Sequence, residues 1–157
     1  MKAVLFDLDE TLILDEPVVR NAFFYTARSV FTDAERASAL AERAAWYTTQ
    51  LWQSLPRPAL EYAKRIGHSA FEGLWAVYNP RIEAEALLET ALQQIRIEVW
   101  ERALSDLDTS ADAAVLAKRW RNLRSRYPIY PDADELLARL YGRYKLGVVT
   151  NGVAGLQ

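Results

Sequence analysis

The chain has 157 residues, 51% hydrophobic and 25% charged, with 19 basic residues against 21 acidic ones and no cysteine. That is the composition of an ordinary soluble globular chain, long enough for one domain or two small lobes sharing a core, and its near-balanced charge gives no reason to expect nucleic acid or an anionic membrane as a partner. Lack of cysteine excludes disulfides, thiolate catalysis and cysteine-built zinc sites, and with no targeting signal or membrane-length apolar run in view, a cytoplasmic setting is the default expectation.

Lys2 to Phe6 form a short run rich in Val, Leu and Phe, the pattern of a strand buried on both faces as in parallel sheets. A long helical stretch follows. Pro17 to Phe31 places Val18, Ala22, Tyr25 and Ser29 near helical spacing, with Pro17 suited to a first turn. The next helix opens with Thr32 and Glu35 in capping-box spacing, where hydroxyl and carboxylate can satisfy free backbone donors reciprocally. A helix ending at Gly67 and a shorter piece before Pro80 come next. Two longer helices carry apolar stripes, Leu88, Leu92, Ile95 and Val99 on one and Ala114, Ala117, Trp120 and Leu123 on the other, and these faces should pack as a bundle. After an amphipathic helix over "YPDADELLARLYGRY", a second strand-like run, Leu146 to Val149, leads into Thr150, Asn151 and Gly152. The five tryptophans all fall in the helical stretch, where packing between helices is their expected role. His68, the one histidine, follows Gly67 and reads as an exposed turn residue.

Both apolar runs end in polar clusters, and ligands in open parallel sheets bind at the carboxyl ends of strands. In extended chain, residues i and i+2 share a face roughly 6 to 7 Å apart, so Asp7 and Asp9 can address one ligand together. Two adjacent carboxylates repel and call for a cation, a shared proton, or both. One, with an ordinary pKa of about 3.9, is ionised and able to attack as a nucleophile. The other, raised by its neighbour's charge, suits proton transfer to a leaving group and from water. Such an oxygen-rich site suits Mg²⁺, and the Thr150 hydroxyl with the backbone N–H groups around Asn151 and Gly152 suits phosphate oxygens. The plain alternative is that Asp7 and Asp9 are turn residues after a strand.

The string "FDLDETL", followed later by "YPDADELLARLYGRYKLGVVTNG", resembles the haloacid dehalogenase-like superfamily, and in particular its phosphatases with a helical cap inserted after the first motif. The resemblance implies an α/β fold with a Rossmannoid parallel sheet, incomplete here, and a large α-helical cap insert. Residues 1–14 and 127–157 would form the core and residues 15–126 the cap. It also implies Asp7 as nucleophile forming an aspartyl-phosphate, Asp9 as general acid/base, Mg²⁺ held by the Asp7 carboxylate and the Asp9 backbone carbonyl, and Thr150 on the phosphoryl group. Asp9 favours phosphate esters over halides, because a departing halide has no oxygen to protonate. Glu10 stands where relatives commonly have glycine.

Relatives continue past the Thr motif with a phosphate-binding lysine and a second pair of acidic metal ligands, for which neither Lys145 nor Asp132 is a substitute. The expectation is therefore a fragment, or a chain completed by a second copy, impaired in turnover, with apolar sheet edges exposed and a homodimer through the exposed core or the cap as an association open to it. The expected substrate is a small phosphorylated metabolite. A catalytically silent association module, and a phosphomutase or phosphonatase, are the rival readings. Lys118, Arg119, Arg121, Arg124 and Arg126 form a basic run that reads as a solvated face or as steering for anions. Asp15 and Glu16 read as hinge or specificity residues, or equally as charge at a helix start.

Overall fold

The computed structural model describes residues 2–151. The order is β1 (Ala3–Phe6), α1 (Glu16–Ala27), α2 (Ala34–Gln53), α3 (Arg57–Arg65), α4 (Ala70–Trp75), α5 (Glu83–Asp106), α6 (Ala113–Arg124), α7 (Pro131–Leu140) and β2 (Lys145–Val148). The two strands pair in parallel, Ala3 against Lys145 through Phe6 against Val148. The chain is thus mostly helical with a small parallel sheet, the expected α/β class.

Helices α1 to α6 pack around one apolar core in which the Phe23 ring lies 5.8 Å from Trp100 and 5.1 Å from Trp120. Alanines on α2 (Ala37, Ala41, Ala44) let neighbouring backbones approach closely, and the α5 stripe Leu88, Leu92, Ile95 and Val99 is buried as its spacing predicts. Trp52, Trp100 and Trp120 are buried, whereas Trp46 is half exposed.

Several local expectations are corrected. The N-cap of α2 is Asp33, whose carboxylate accepts the Arg36 N–H at 2.8 Å, so the helix starts one residue later than the Thr32–Glu35 spacing predicts. A carboxylate is the stronger acceptor for that charge-assisted bond. The capping box lies instead at Ser69 and Glu72, which open α4. On α6 the inward face is Ala113, Leu116, Ala117, Trp120 and Arg124, with Ala114 outside; on α1 Tyr25 points outward while Phe23, Thr26 and Ala27 are inside. Polar Thr26 and Arg124 at core positions hide those faces from an apolar count.

The strands are not buried on both faces. Leu5 on β1 is 67% exposed and Val148 on β2 51%, because no third strand flanks the pair among the described residues. Between sheet and helices the outgoing and returning segments pair. Leu14 N–H donates to the Pro128 carbonyl and Tyr130 N–H to the Leu12 carbonyl, both at 3.0 Å, with an antiparallel bridge from Ile13 to Ile129. This short ribbon joins the segment leaving the sheet to the one returning.

Candidate active site

Parallel register decides where the two polar clusters go. Because Phe6 sits opposite Val148 and its carbonyl accepts the Val149 N–H at 2.8 Å, the segment after β1 and the segment after β2 leave the same edge of the sheet. Asp7 is exposed there and Thr150 half-buried. The Thr150 hydroxyl donates to the Asn151 carbonyl at 3.2 Å. Gly152, the third residue of that cluster, lies outside the described residues.

Beyond Asp7 the chain does not stay extended. The Leu8 carbonyl collects the N–H groups of Thr11, Leu12 and Ile13 at 3.3, 2.8 and 3.2 Å, closing a tight loop that half-buries Asp9. Glu10 takes a left-handed backbone with φ 55°, a conformation in which glycine is the least strained residue. Its side chain ties the loop to two other segments. Oε1 accepts from the backbone N–H of Asp15 at 2.7 Å and of Glu16 at 2.6 Å, while Oε2 accepts the Tyr130 hydroxyl at 2.7 Å. One carboxylate thus satisfies free donors at the start of α1 and binds the returning segment. Those bonds, the Glu16 N–H first, then the Tyr130 hydroxyl, hold its pKa below the ordinary value.

Asp9 is shifted the other way. Burial raises its pKa most, followed by the negative charges of Asp15 and Glu72; Arg124 opposes them, and Asp7 contributes least among these causes. The sequence alone points to Asp7 as the source of the rise, and the fold corrects that. Glu72 comes from the helical lobe, as does Gly67, where a Cβ would stand 3.0 Å from Asn151 Nδ2. The turn from α3 to α4 therefore rests on the end of the sheet, and Gly67, at φ +74°, supplies both the left-handed turn and the close approach.

Arg124 is 1% exposed. Its guanidinium bonds the Asp15 carboxylate and the Tyr127 hydroxyl and lies over the rings of Trp75 and Tyr127, at 5.4 and 4.8 Å from their centroids. Nε alone has no partner among the described residues. Burial keeps the Tyr127 hydroxyl protonated far beyond neutral pH.

A family model for haloacid dehalogenase-like hydrolases matches residues 1–156. The chain belongs to that family. The phosphoserine phosphatase of a Thermus thermophilus strain is 35% identical over 160 residues, a match covering 100% of this chain and 60% of that protein. The chain spans about three-fifths of the length of this curated relative.

Within this haloacid dehalogenase-like chain, Asp7 and Thr150 follow the paired strands at the same end of the sheet, Asn151 comes next, and Asp9 lies in the loop just beyond Asp7. No cluster of three His, Asp or Glu side chains suited to a metal occurs among the described residues. The exposed Asp7 carboxylate and the Asp9 backbone carbonyl are nevertheless hard oxygen donors of the kind Mg²⁺ takes, and this ion keeps several waters, so a two-donor contribution fits it. Asp132 lies in the first turn of α7 and Lys145 opens β2 at the opposite end from Thr150.

His68 corrects its expectation outright. It is 5% exposed, with Nδ1 2.6 Å from the Tyr78 hydroxyl and Nε2 without a partner among the described residues. Glu10, Gly67, Glu72 and Arg124 also take parts around the site that the sequence does not announce. Glu10 carries a readable sign, an acid where the resemblance leads one to expect glycine, while Glu72 sits three residues after Ser69, the same capping-box spacing that Thr32 and Glu35 show without forming one.

Proposed function

We propose that this chain carries the nucleophile, the proton-transfer carboxyl and part of the phosphate cradle of a phosphomonoester hydrolase for small phosphorylated metabolites. The parallel register of β1 and β2 supports that reading, since Asp7 and Thr150 follow the paired strands at the same end of the sheet and Asp9 stands two residues beyond Asp7. A carboxylate oxygen of Asp7 attacks phosphorus as the bond to the leaving oxygen breaks, and Asp9 gives its proton to that oxygen. Asp9, now ionised, takes a proton from water as the water attacks the aspartyl-phosphate, which releases inorganic phosphate and restores both aspartates. The raised pKa of Asp9 suits a group that must begin as an acid. The Thr150 hydroxyl and the backbone N–H groups of Asn151 and Gly152 hold phosphoryl oxygens. Mg²⁺, held by the Asp7 carboxylate and the Asp9 carbonyl, supplies positive charge against the phosphoryl group when bound.

Residues 15–126 act in this reading as a cap over a core formed by 1–14 and 127–157, and the contact of Gly67 with Asn151 supports a lid that shields the site from water. A lid favours compact substrates. The resemblance to a phosphoserine phosphatase makes phosphoserine the first substrate to try. The cysteine-free composition is in keeping with a cytoplasmic enzyme.

The test is phosphate release from phosphoserine and from an aryl phosphate, with and without Mg²⁺, by the natural gene product containing these residues and by its Asp7→Asn and Asp9→Asn variants. The expected result is Mg²⁺-dependent release, abolished by Asp7→Asn, with a phosphoryl group trapped on the Asp7 peptide during turnover. Release that survives Asp7→Asn, or a label on another residue, overturns the mechanism.

A further inference from the structure

A groove of about 640 Å³ runs between α5 and α6 beside the carboxyl end of α4. Its apolar part is made by Trp75, Ile97 and the small side chains of Ala114 and Ala117. Arg96, Lys118 and Arg121 line it, and among the described residues no carboxylate does. The three cations are not equivalent. Arg96 is buried and balanced by Glu89 at 3.0 Å, and it donates to the carbonyls of Leu74 and Ala76 at 3.0 and 2.5 Å. Arg121 makes one long bond, 3.3 Å to the Trp75 carbonyl, and like Lys118 it has no ion pair among the described residues. Burial, and then the like charge of Arg96, hold Arg121 below its ordinary pKa, with Glu89 opposing. Two cations without an ion pair among the described residues, one of them half-buried, thus line an apolar floor with amide and hydroxyl groups of Gln93, Asn122 and Ser125 at hand.

We propose that this groove is a second ligand site, separate from the sheet edge, for a small organic oxyanion: a phosphate- or phosphonate-type dianion carried on an apolar body. The charged head pairs with Lys118 and Arg121, whose planar fork suits two oxygens of one anion. The body lies on Trp75, Ile97 and the α6 alanines. The basic run of α6 accordingly divides by partner. Arg124 is consumed by Asp15 and Tyr127, Arg119 reaches the Tyr25 carbonyl at 3.4 Å, and Lys118 and Arg121 remain for a ligand. The site stands at the far end of α4 from the turn that rests on Asn151, about 9 Å of helix away. It does not depend on the phosphatase reading.

Calorimetric titration of the full chain in EDTA with 1-naphthylphosphonate, whose P–C bond the proposed hydrolysis cannot cleave, tests it. One saturable binding event is expected, retained by Asp7→Asn and weakened at least about tenfold in a Lys118→Ala, Arg121→Gln double variant. Ala114→Glu, an exposed and helix-compatible change, puts a carboxylate into the groove and should weaken binding likewise should the double variant fail to fold. Inorganic phosphate, lacking the apolar body, should bind at least about tenfold more weakly. No saturable binding, binding unchanged by the groove substitutions, or equal loss in Asp7→Asn overturns the site; equal affinity for inorganic phosphate overturns the ligand class.

Discussion

Glu10 accepts the hydroxyl hydrogen bond of Tyr130 at 2.7 Å across 120 residues of sequence, joining the segment that leaves the sheet to the one that returns. The same carboxylate holds two N–H groups at the start of α1. Replacing it removes both functions, so Glu10→Ala should lower the urea midpoint more than Tyr130→Phe does, and the double variant should fall short of the sum because the two share one bond. The lowered pKa fixes the sign of the acid response. Stability from Glu10 is complete above the ordinary value of 4.5 and disappears as pH falls through the depressed native value. Unfolding curves of wild type and Glu10→Gln taken down that range should converge, and parallel curves would rule the bonds out as contributors.

Arg124 and Asp15, 109 residues apart, make the ion pair that closes the helical lobe onto its own entry segment. With Arg124 1% exposed, Asp15→Ala leaves a buried guanidinium without its anion and should cost about 3 kcal/mol by chemical denaturation. A contrasting pair is Arg20 with Glu16, both about three-quarters exposed. Arg20→Ala should change stability by less than about 0.5 kcal/mol. Similar losses from the two substitutions would mean that burial does not set the worth of these pairs.

How much of the molecule is legible in its sequence follows from the range of each interaction. Strand ends at Asp7 and Thr150, the helical stretch between them and the α5 stripe all depend on the period of neighbouring residues, and that period is written in the sequence. Polar side chains that face inward break the count, as Thr26 and Arg124 do. His68 reads as exposed because it follows a glycine in a turn, yet that turn is pressed between the lobe and the end of the sheet, a placement set by tertiary packing. Asp9's environment is half legible: the adjacent Asp7 can be seen, but Glu72 and Asp15, which weigh more, reach it only through the fold.

Gly73 has a spatial role rather than a conformational one. A Cβ there would stand 2.2 Å from Cζ3 of Trp52, a rigid ring that is itself buried. Gly73→Ala should therefore destabilise the chain by about 1–3 kcal/mol through overpacking, against the usual gain of replacing a helical glycine by alanine. Trp52→Phe in the same chain should return part of that loss by vacating the contested space. If Gly73→Ala stabilises instead, α4 and α2 are not packed at this distance.

His68 gives a pH test with one titrating histidine in the whole chain. Burial holds its pKa below the ordinary 6.5, with the Glu72 charge opposing. Above 6.5 the imidazole is neutral in both folded and unfolded chains and adds no pH dependence. As pH falls below 6.5 the unfolded chain binds the proton first, so stability declines until the lowered native pKa is reached and then levels off. The melting temperature of wild type should accordingly drop between about pH 7.5 and 5.5 more than that of His68→Gln, whose side chain does not titrate. Carboxylate contributions are common to both proteins and cancel in the difference. A difference that stays constant across this interval would mean the imidazole protonates as readily in the folded chain as in the unfolded one, and that its burial against Tyr78 is not maintained in solution.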